Sequence, residues 1–443
     1  MSSMTFLRKS SLTLLSRAGV LILSFVLQVW IARTLGPVGK GAFAVFTLVP
    51  ALMAQLASLG IFSAYIYLLG QNRAGFRAAA ENALTFSFGI SALLMVVYGL
   101  ARPWIDALIF KTISLDITVW LFPALPLHVF FLAFNTLALA RDDFFSYNLP
   151  NLARPAYMLA GLGILAILSR CNLLTVVEIW VAVCSILAVQ SWWLIHRHER
   201  FGWGWHAHLF FESLKFGWRS HLGTIFYYLG WRLDFLLCNI YLDARAVGHY
   251  SIATLIGEVL WFIPNTLAVV LLPQTSRSEK ERSENLTAQV CRLTFFSSIA
   301  LSLAIVIGAP LFVRLVFGEA FSPAVRSIQL LLPGMIMESG TRILTGFFVG
   351  RGLPLTTSIS AGLVAASNLL INLWCIPRFG IEGAAVAATI SYSLGAVYLI
   401  RAFHRMTGFS YVSILCLQHS DVQLMQQIWR RLKNSLTHEP QKL

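Results

Sequence analysis

Residues 295–313 have the sequence FFSSIALSLAIVIGAPLFV, which contains no charged side chain and lies between Arg292 and Arg314. The hydrocarbon core of a bilayer is about 30 Å thick, so an α-helix needs roughly 20 mostly apolar residues to cross it. Every backbone N–H and C=O group at that depth needs an internal partner, which an uninterrupted apolar run obtains only as a helix. The stretch therefore predicts a membrane-spanning α-helix.

Similar apolar stretches recur along the whole chain and predict an all-α integral membrane protein. Apolar residues make up 57% of the sequence and charged residues 12%, and the mean hydropathy is +0.73. A soluble domain carries about 25% charged residues, so this composition excludes a soluble fold. We predict twelve transmembrane helices, at residues 10–32, 42–69, 77–100, 117–139, 150–168, 174–195, 213–241, 247–272, 289–316, 327–349, 355–376 and 382–400.

The net charge of +14 is explained by the position of the basic residues. With both termini placed in the cytoplasm, the cytoplasmic segments contain more than twice as many Lys and Arg residues as the outer segments. This asymmetry is the one that orients multi-pass membrane proteins, and such basic segments contact anionic lipid headgroups. We therefore expect membrane lipid, and not nucleic acid, as the partner of the basic surface.

Two halves of the sequence share short matches at one offset. Leu35 is followed six residues later by Gly41, and Leu242 is followed six residues later by Gly248, which is 207 residues further along the chain. At the same offset Leu125-Pro126 matches Leu332-Pro333. An even number of spans per half predicts two parallel six-helix repeats, which can rock around a central cavity.

The repeat divides the chain into four predicted parts. These are an N-terminal six-helix bundle (1–196), a cytoplasmic connector (197–212), a C-terminal six-helix bundle (213–405) and a cytoplasmic amphipathic tail (406–443). Two His-x-His pairs, at 196–198 and 206–208, lie in or next to the connector and are not accompanied by a Cys or carboxylate cluster, so we expect no metal site. In the tail an apolar spacing of three and four residues indicates a helix on the membrane surface, with a disordered tail as the alternative: Val422, Met425, Trp429, Leu432 and Leu436.

The segment 377–389, PRFGIEGAAVAAT, predicts a tight hairpin between two helices. Pro377 ends one helix, two glycines form the turn, and the alanines let the next helix pack closely against a neighbour. Together with Leu35-Gly36-Pro37, Val247–Tyr250 and Leu272-Pro273, this segment resembles the oligosaccharide (polysaccharide) flippase family. That family belongs to the multidrug/oligosaccharidyl-lipid/polysaccharide exporter superfamily, and the resemblance extends from about residue 5 to residue 405.

The resemblance implies a transporter of the bacterial inner membrane. Such a protein flips undecaprenyl-diphosphate-linked oligosaccharide units from the inner to the outer leaflet by alternating access, for O-antigen, capsule or exopolysaccharide assembly. It implies a lipid-linked oligosaccharide as partner, a proton or sodium ion as coupling ion, and no cofactor. A cation-coupled exporter of drugs or other lipids from the same superfamily is the alternative. A membrane enzyme is disfavoured because the longest outer loop, residues 101–116, holds only Asp106 and Asp116 as acidic residues.

Three arginines inside the predicted spans are candidates for binding a diphosphate. An ionisable residue in a transmembrane helix is costly and therefore a functional candidate, and guanidinium pairs phosphate oxygens with two hydrogen bonds. Arg17 lies near the cytoplasmic end of its span and can also extend to the membrane surface. Arg232 is one candidate, and Arg342 is another, although Glu338 lies four residues before Arg342 and can form an ion pair with it.

Three acidic residues are candidates for ion coupling or for lining the cavity. Glu258 and Glu338 lie near the middle of their spans, where desolvation favours the neutral form of a carboxyl group. Structural ion pairing is the alternative for both, with no partner for Glu258 evident from the sequence. Asp234 is two residues from Arg232, a spacing that does not place the two side chains together on a helix, and the family resemblance places an acidic residue at this position.

Overall fold

The computed structural model describes residues 3–111, 113–262, 264–265, 267–268, 280–419 and 421, and every regular element within these residues is helical. Two 3₁₀ turns occupy Glu258–Trp261 and Glu319–Phe321. The α-helices are α1 (Ser3–Ala57), α2 (Ile61–Gly70), α3 (Phe76–Leu108), α4 (Leu115–Thr118), α5 (Leu121–Ala140), α6 (Phe144–Ile167), α7 (Leu173–His196), α8 (Ala207–Tyr241), α9 (Ala244–Gly257), α10 (Lys280–Val316), α11 (Ala324–Gly350), α12 (Pro354–Thr407) and α13 (Tyr411–Leu415).

Six helical stretches within the described ranges are long and apolar enough to cross a membrane. This confirms the predicted class, a helical multi-pass membrane protein, while the arrangement of twelve spans in two repeats stays a prediction. The stretches are Ala18–Ala57, Phe76–Leu108, Leu115–Ala140, Leu173–His196, Glu281–Val316 and Pro354–Thr407.

Two of these stretches are too long for a single crossing, and each breaks at a glycine. Helix α12 has 54 residues, which at 1.5 Å per residue is about 80 Å, well beyond the bilayer core. Gly380 interrupts it with φ 59° and ψ −140°, which confirms the turn predicted from the segment 377–389. Gly36 interrupts α1 in the same way, with φ 63° and ψ −176°. Both positions require a positive φ, which glycine adopts without steric cost.

The second predicted span, residues 42–69, is wrong as one continuous helix. Helix α1 ends at Ala57 and α2 begins at Ile61, because Leu59 and Gly60 have left-handed backbone conformations with φ 49° and 75°. A Cβ atom on Gly60 would overlap the carbonyl of Gly217 in α8. The break between α1 and α2 therefore occurs where the backbone approaches α8 closely, a contact that the apolar composition of residues 42–69 does not reveal.

Helices α6 and α8 also differ from the predicted boundaries, since both begin earlier. Helix α6 starts at Phe144 and not at residue 150, because the Asp143 carboxylate caps it by accepting a hydrogen bond from the Ser146 amide at 3.0 Å. Helix α8 starts at Ala207, inside the predicted connector 197–212. Asn82 of α3 holds the end of the shortened connector, since its side chain accepts from the His206 amide at 2.7 Å and donates to the His206 carbonyl at 3.0 Å.

Helices α1 and α9 pack against each other through two reciprocal glycine contacts. A Cβ atom on Gly41 would overlap the Ala244 carbonyl, and a Cβ atom on Gly248 would overlap the Pro37 carbonyl. Pro37 and Ala244 are separated by 207 residues, as are Gly41 and Gly248, so each contact is the counterpart of the other under the predicted repeat. The two predicted bundles therefore touch backbone to backbone at this point.

The segment after α12 is attached to α10 by a buried ion pair. The Arg292 guanidinium contacts the Asp421 carboxylate with Nε–Oδ2 and Nη2–Oδ1 distances of 2.5 and 3.0 Å, and both side chains are almost fully buried. Arg292 also donates to the Ser413 carbonyl at 2.5 Å. The residues that predicted an amphipathic tail helix, Val422 to Leu436, lie outside the described residues.

Breaking this ion pair is expected to destabilise the protein. An Asp421→Ala variant leaves Arg292 buried without a counter-charge, which costs about 3–5 kcal/mol of unfolding free energy. Glu319→Gln is the matched control, because Glu319 pairs with Arg314 at the surface, where such a pair contributes less than about 1 kcal/mol. Denaturant unfolding in detergent micelles measures both, and equal losses in the two variants would contradict the expectation.

The same pair gives a pH dependence with a defined sign. Burial raises the pKa of Asp421, but the hydrogen bonds from Arg292 and from the Gln418 amide outweigh it, so the pKa lies below that of a free aspartate. The stabilisation is therefore complete above the unfolded-state pKa of about 3.9 and is lost as the pH falls through the lower folded-state value. The Asp421→Ala variant should lack this loss of stability in acid.

Candidate functional site

A cavity of about 290 Å³ lies between α1 on one side and α8 and α9 on the other, and we call it the interface cavity. Helix α1 belongs to the predicted N-terminal bundle and the other two helices to the C-terminal bundle. Movement of one bundle against the other would therefore change the shape of this cavity. It is lined by Gln28, Lys40, Phe43, Ala44, Thr47, Leu48, Ala51, Arg232, Phe235, Ser251, Thr254, Leu255 and Glu258.

The charged groups of the interface cavity are two cations and one carboxylate among its described lining residues. Arg232 Nη1 lies 3.3 Å from Glu258 Oε1, and the Arg232 guanidinium lies 4.0 Å from the centroid of the Trp231 ring. Lys40 is only 4% exposed and donates a hydrogen bond to the Gln28 side chain. The lining side chains thus carry an excess of one positive charge, in a space otherwise lined by apolar and uncharged polar residues.

The hairpin of α8 and α9 creates this arrangement. The Asp243 carboxylate caps α9 by accepting from the Ala246 amide at 2.7 Å, which fixes a short turn between the helices. Arg232 lies before that turn in α8, and Glu258 follows α9 as the first residue of the 3₁₀ turn. The structure therefore identifies Arg232 as the ion-pair partner of Glu258, which the sequence did not predict.

Asp234 lines neither of the two cavities described here. Its side chain is 1% exposed, accepts a hydrogen bond from the Tyr250 hydroxyl at 2.5 Å and accepts another from the Phe235 amide at 2.9 Å. The carboxylate therefore joins α8 to α9 behind the wall of the interface cavity. A role of Asp234 in ion coupling stays a prediction.

A second and larger cavity of about 1070 Å³ lies in the predicted C-terminal bundle, and we call it the aromatic cavity. Its wall comes from α8, the segment after α9, α11 and α12, with Tyr147 of α6 as its contribution from the predicted N-terminal bundle. Along the α8–α9 hairpin it lies farther from the turn than the interface cavity does. Aromatic rings, hydroxyl groups and an ion pair share its lining: Phe226, Tyr227, Trp231, Trp261, Phe262, Tyr392, Thr345, Thr357, Ser358, Glu338 and Arg342.

Arg342 and Glu338 form the ion pair that their four-residue spacing predicts. Arg342 Nη2 lies 3.8 Å from Glu338 Oε1, and Arg342 also donates to the Asn265 side chain at 2.9 Å. Its guanidinium lies 4.1 Å from the centroid of the Trp261 ring. The predicted arginines Arg232 and Arg342 thus line different cavities.

Arg17 lies in α1, but its side chain is outside the described residues. Sequence reasoning missed Lys40, because the predicted second span began at residue 42 and left Lys40 in a loop. The signal was nevertheless present: Lys40 follows the break at Gly36 by four residues, so it belongs to the first turn of the next helix and not to a solvated loop.

Comparison with known sequences points to one family. The sequence profile described as "Polysaccharide biosynthesis protein" matches residues 30–326. Two proteins of Haloferax volcanii are similar over part of the chain. "Probable low-salt glycan biosynthesis flippase Agl15" is 27% identical over 175 residues, 37% of this chain and 36% of that protein. "Probable flippase AglR" is 25% identical over 182 residues, 38% of this chain and 37% of that protein. The chain thus spans little more than a third of the length of these relatives.

Comparison with solved structures defines the fold. A structure described as "Lipid II flippase MurJ, inward closed conformation" superposes with a TM-score of 0.75 at 14% identity, covering 89% of each chain. An inward-facing multidrug resistance MATE family transporter of the MOP superfamily superposes with a TM-score of 0.69 at 15% identity, covering 88% of this chain and 94% of that one. At such identities the likeness establishes the fold alone.

Proposed function

The chain belongs to the polysaccharide biosynthesis protein family, as its motifs predicted, and from this membership we propose that it flips a lipid-linked oligosaccharide across the membrane. The cargo is an oligosaccharide on undecaprenyl diphosphate. It moves from the inner to the outer leaflet of a bacterial cytoplasmic membrane by alternating access and feeds O-antigen, capsule or exopolysaccharide assembly. The activity is transport and not catalysis.

The positive excess in the interface cavity is the observation that carries this proposal. A diphosphate headgroup must leave water and pass through a low-dielectric region, where an unpaired charge is very costly. Lys40 and Arg232 supply two cations on opposite walls of the interface cavity, one from each predicted bundle. A diphosphate bound between them would draw the two walls together.

Glu258 links cargo binding to the coupling ion in this scheme. In the structure it neutralises Arg232, so an incoming diphosphate has to compete for the guanidinium. Once phosphate oxygens take over Arg232, the Glu258 carboxylate loses its counter-charge and favours uptake of a proton or sodium ion. Release of the cargo on the other side restores the pair. Glu338 and Asp234 are the further candidates for the coupling ion.

Depletion of the protein tests this function directly. We expect the lipid-linked oligosaccharide to accumulate in the cytoplasmic leaflet, where a membrane-impermeant sugar oxidant reaches it in inverted vesicles but not in intact spheroplasts. Re-expression of the protein restores the outer-leaflet pool. An unchanged distribution of the glycan lipid between the two leaflets after depletion would exclude the proposed function.

Export of amphipathic drugs is the second candidate, because the aromatic cavity offers large apolar rings of the kind such compounds contact. Among the described residues that line the aromatic cavity, Glu338 is the acidic one. Arg342 already neutralises it, which disfavours binding of a cationic drug. The same depleted cells discriminate the two functions. Increased sensitivity to ethidium without accumulation of glycan lipid would favour the drug exporter.

A further inference from the structure

The walls of the aromatic cavity carry an unbroken series of four rings. Ring centroids are separated by 5.8 Å between Tyr227 and Trp231, by 6.2 Å between Trp231 and Trp261, and by 6.0 Å between Trp261 and Tyr392. These are contact distances for aromatic pairs. The series therefore joins α8 to α12 through the 3₁₀ turn. Tyr227, at its α8 end, is 39% exposed, whereas Trp261 and Tyr392 are buried.

The charges of the aromatic cavity cancel. Arg342 pairs with Glu338 and donates to Asn265, and Glu338 accepts a further hydrogen bond from the Thr341 hydroxyl at 2.9 Å. The described lining residues thus offer neither the positive excess that would hold a phosphate nor an unpaired carboxylate that would hold a cation. Its additional polar groups are hydroxyls, among them Thr345, Thr357 and Ser358.

Neutral sugars match this combination. A pyranose ring has an apolar C–H face that packs on an aromatic ring, and hydroxyl groups around its edge that exchange hydrogen bonds with Ser, Thr and Asn. The volume of about 1070 Å³ is at the upper limit of the roughly 300–1,000 Å³ typical of sites for drug-sized ligands. The aromatic cavity therefore has room for several linked sugars.

The position of the aromatic cavity connects it to the interface cavity. Trp231 and Arg232 are neighbours in α8, and each lines one of the two cavities. Glu258 and Trp261 are one turn apart, and Glu258 lines the interface cavity while Trp261 lines the aromatic cavity. The two cavities are therefore adjacent, in the order that a ligand with a diphosphate at one end and sugars at the other requires.

We infer that the aromatic cavity binds the glycan of the cargo, with a sugar ring packed on the exposed Tyr227 at the end of the series, while the interface cavity holds the diphosphate. This inference rests on the proposed function and extends it to the part of the protein that recognises the sugar. It makes the C-terminal bundle the determinant of glycan specificity.

Equilibrium binding to the full-length protein in detergent tests the inference. The probes are a short-chain prenyl diphosphate without sugar and the same lipid diphosphate carrying four neutral sugars. A Tyr227→Ala variant should bind the sugar-bearing probe about five- to tenfold more weakly, the effect of losing one aromatic contact, and the sugarless probe with unchanged affinity. Tyr227→Phe keeps the ring and should restore binding.

The controls separate this inference from the proposed function itself. Tyr241→Ala is the matched variant, because Tyr241 lies at the end of α8, is similarly exposed and lines neither cavity among the described residues. It should bind both probes like the wild type. Equal weakening of both probes by Tyr227→Ala, or of neither, overturns the glycan assignment alone. Failure of the wild type to bind either probe overturns the proposed function as well.

Discussion

A Glu258→Gln variant is expected to lose transport while it binds the cargo diphosphate more tightly. The substitution keeps the shape of the side chain but removes the negative charge that lies 3.3 Å from Arg232. The guanidinium is then free for phosphate, and nothing competes for it when the cargo has to leave. Both side chains are partly exposed, so a pair of this kind is worth about 1.5–3 kcal/mol, which corresponds to a loss of roughly ten- to a hundredfold in transport rate.

Two measurements on the same variant test this prediction. Transport is measured as outer-leaflet appearance of glycan lipid in cells, and affinity as binding of the sugarless prenyl diphosphate to purified protein. Glu382→Gln is the matched control, since Glu382 pairs with Arg326 near the surface and should affect neither quantity. Normal glycan export by Glu258→Gln would remove Glu258 from the coupling step, and weaker probe binding would remove the competition between carboxylate and phosphate.

Leucine in place of Gly41 is expected to prevent closure of the contact between α1 and α9. In the structure this contact leaves no space for a Cβ atom, because the Ala244 carbonyl occupies it. Overpacking typically costs about 1–3 kcal/mol, which shifts a two-state equilibrium by about 5–150-fold. We expect transport to fall by this factor and the interface cavity to become accessible from the outer face, where the sequence places this turn.

A cysteine at Thr47, which lines the interface cavity, reports the accessibility. A membrane-impermeant maleimide added outside should label Thr47→Cys much faster in the Gly41→Leu protein than in the protein with Gly41 intact, which opens to the outer side only during turnover. Gly89→Leu is the matched control, because an added Cβ atom at Gly89 meets no atom within 4 Å. Normal protein levels in the membrane exclude a folding defect. Unlabelled Thr47→Cys in the Gly41→Leu background would show that this contact does not close the cavity.

The sequence predicted those parts of the fold that depend on local chemistry. Apolar length identified the membrane helices, and Gly380 identified the turn within α12, because a positive φ there is a property of one residue type. The break at Leu59 and Gly60 was missed because its cause is Gly217, which is distant in sequence. The early start of α8 was missed because the residues before it resemble a connector in composition.

The candidate site likewise contains features that the sequence predicted and features that it did not. The Glu338–Arg342 pair was predictable because a four-residue spacing on a helix places two side chains together. The Arg232–Glu258 pair was not, because it depends on how two helices are aligned across a turn. Lys40 was assigned to a loop because the predicted helix began two residues after it, although its burial makes it a central group of the interface cavity.

The paired glycines of α1 and α9 have a consequence for how such a protein can arise. Gly41 contacts the chain at Ala244, and Gly248 contacts it at Pro37, the equivalent position in the predicted repeat. A surface that meets its own equivalent in this way is self-complementary and is isologous in two-fold symmetric dimers. Two separate copies of one ancestral six-helix subunit could therefore have associated through this same surface before duplication and fusion joined them in a single polypeptide.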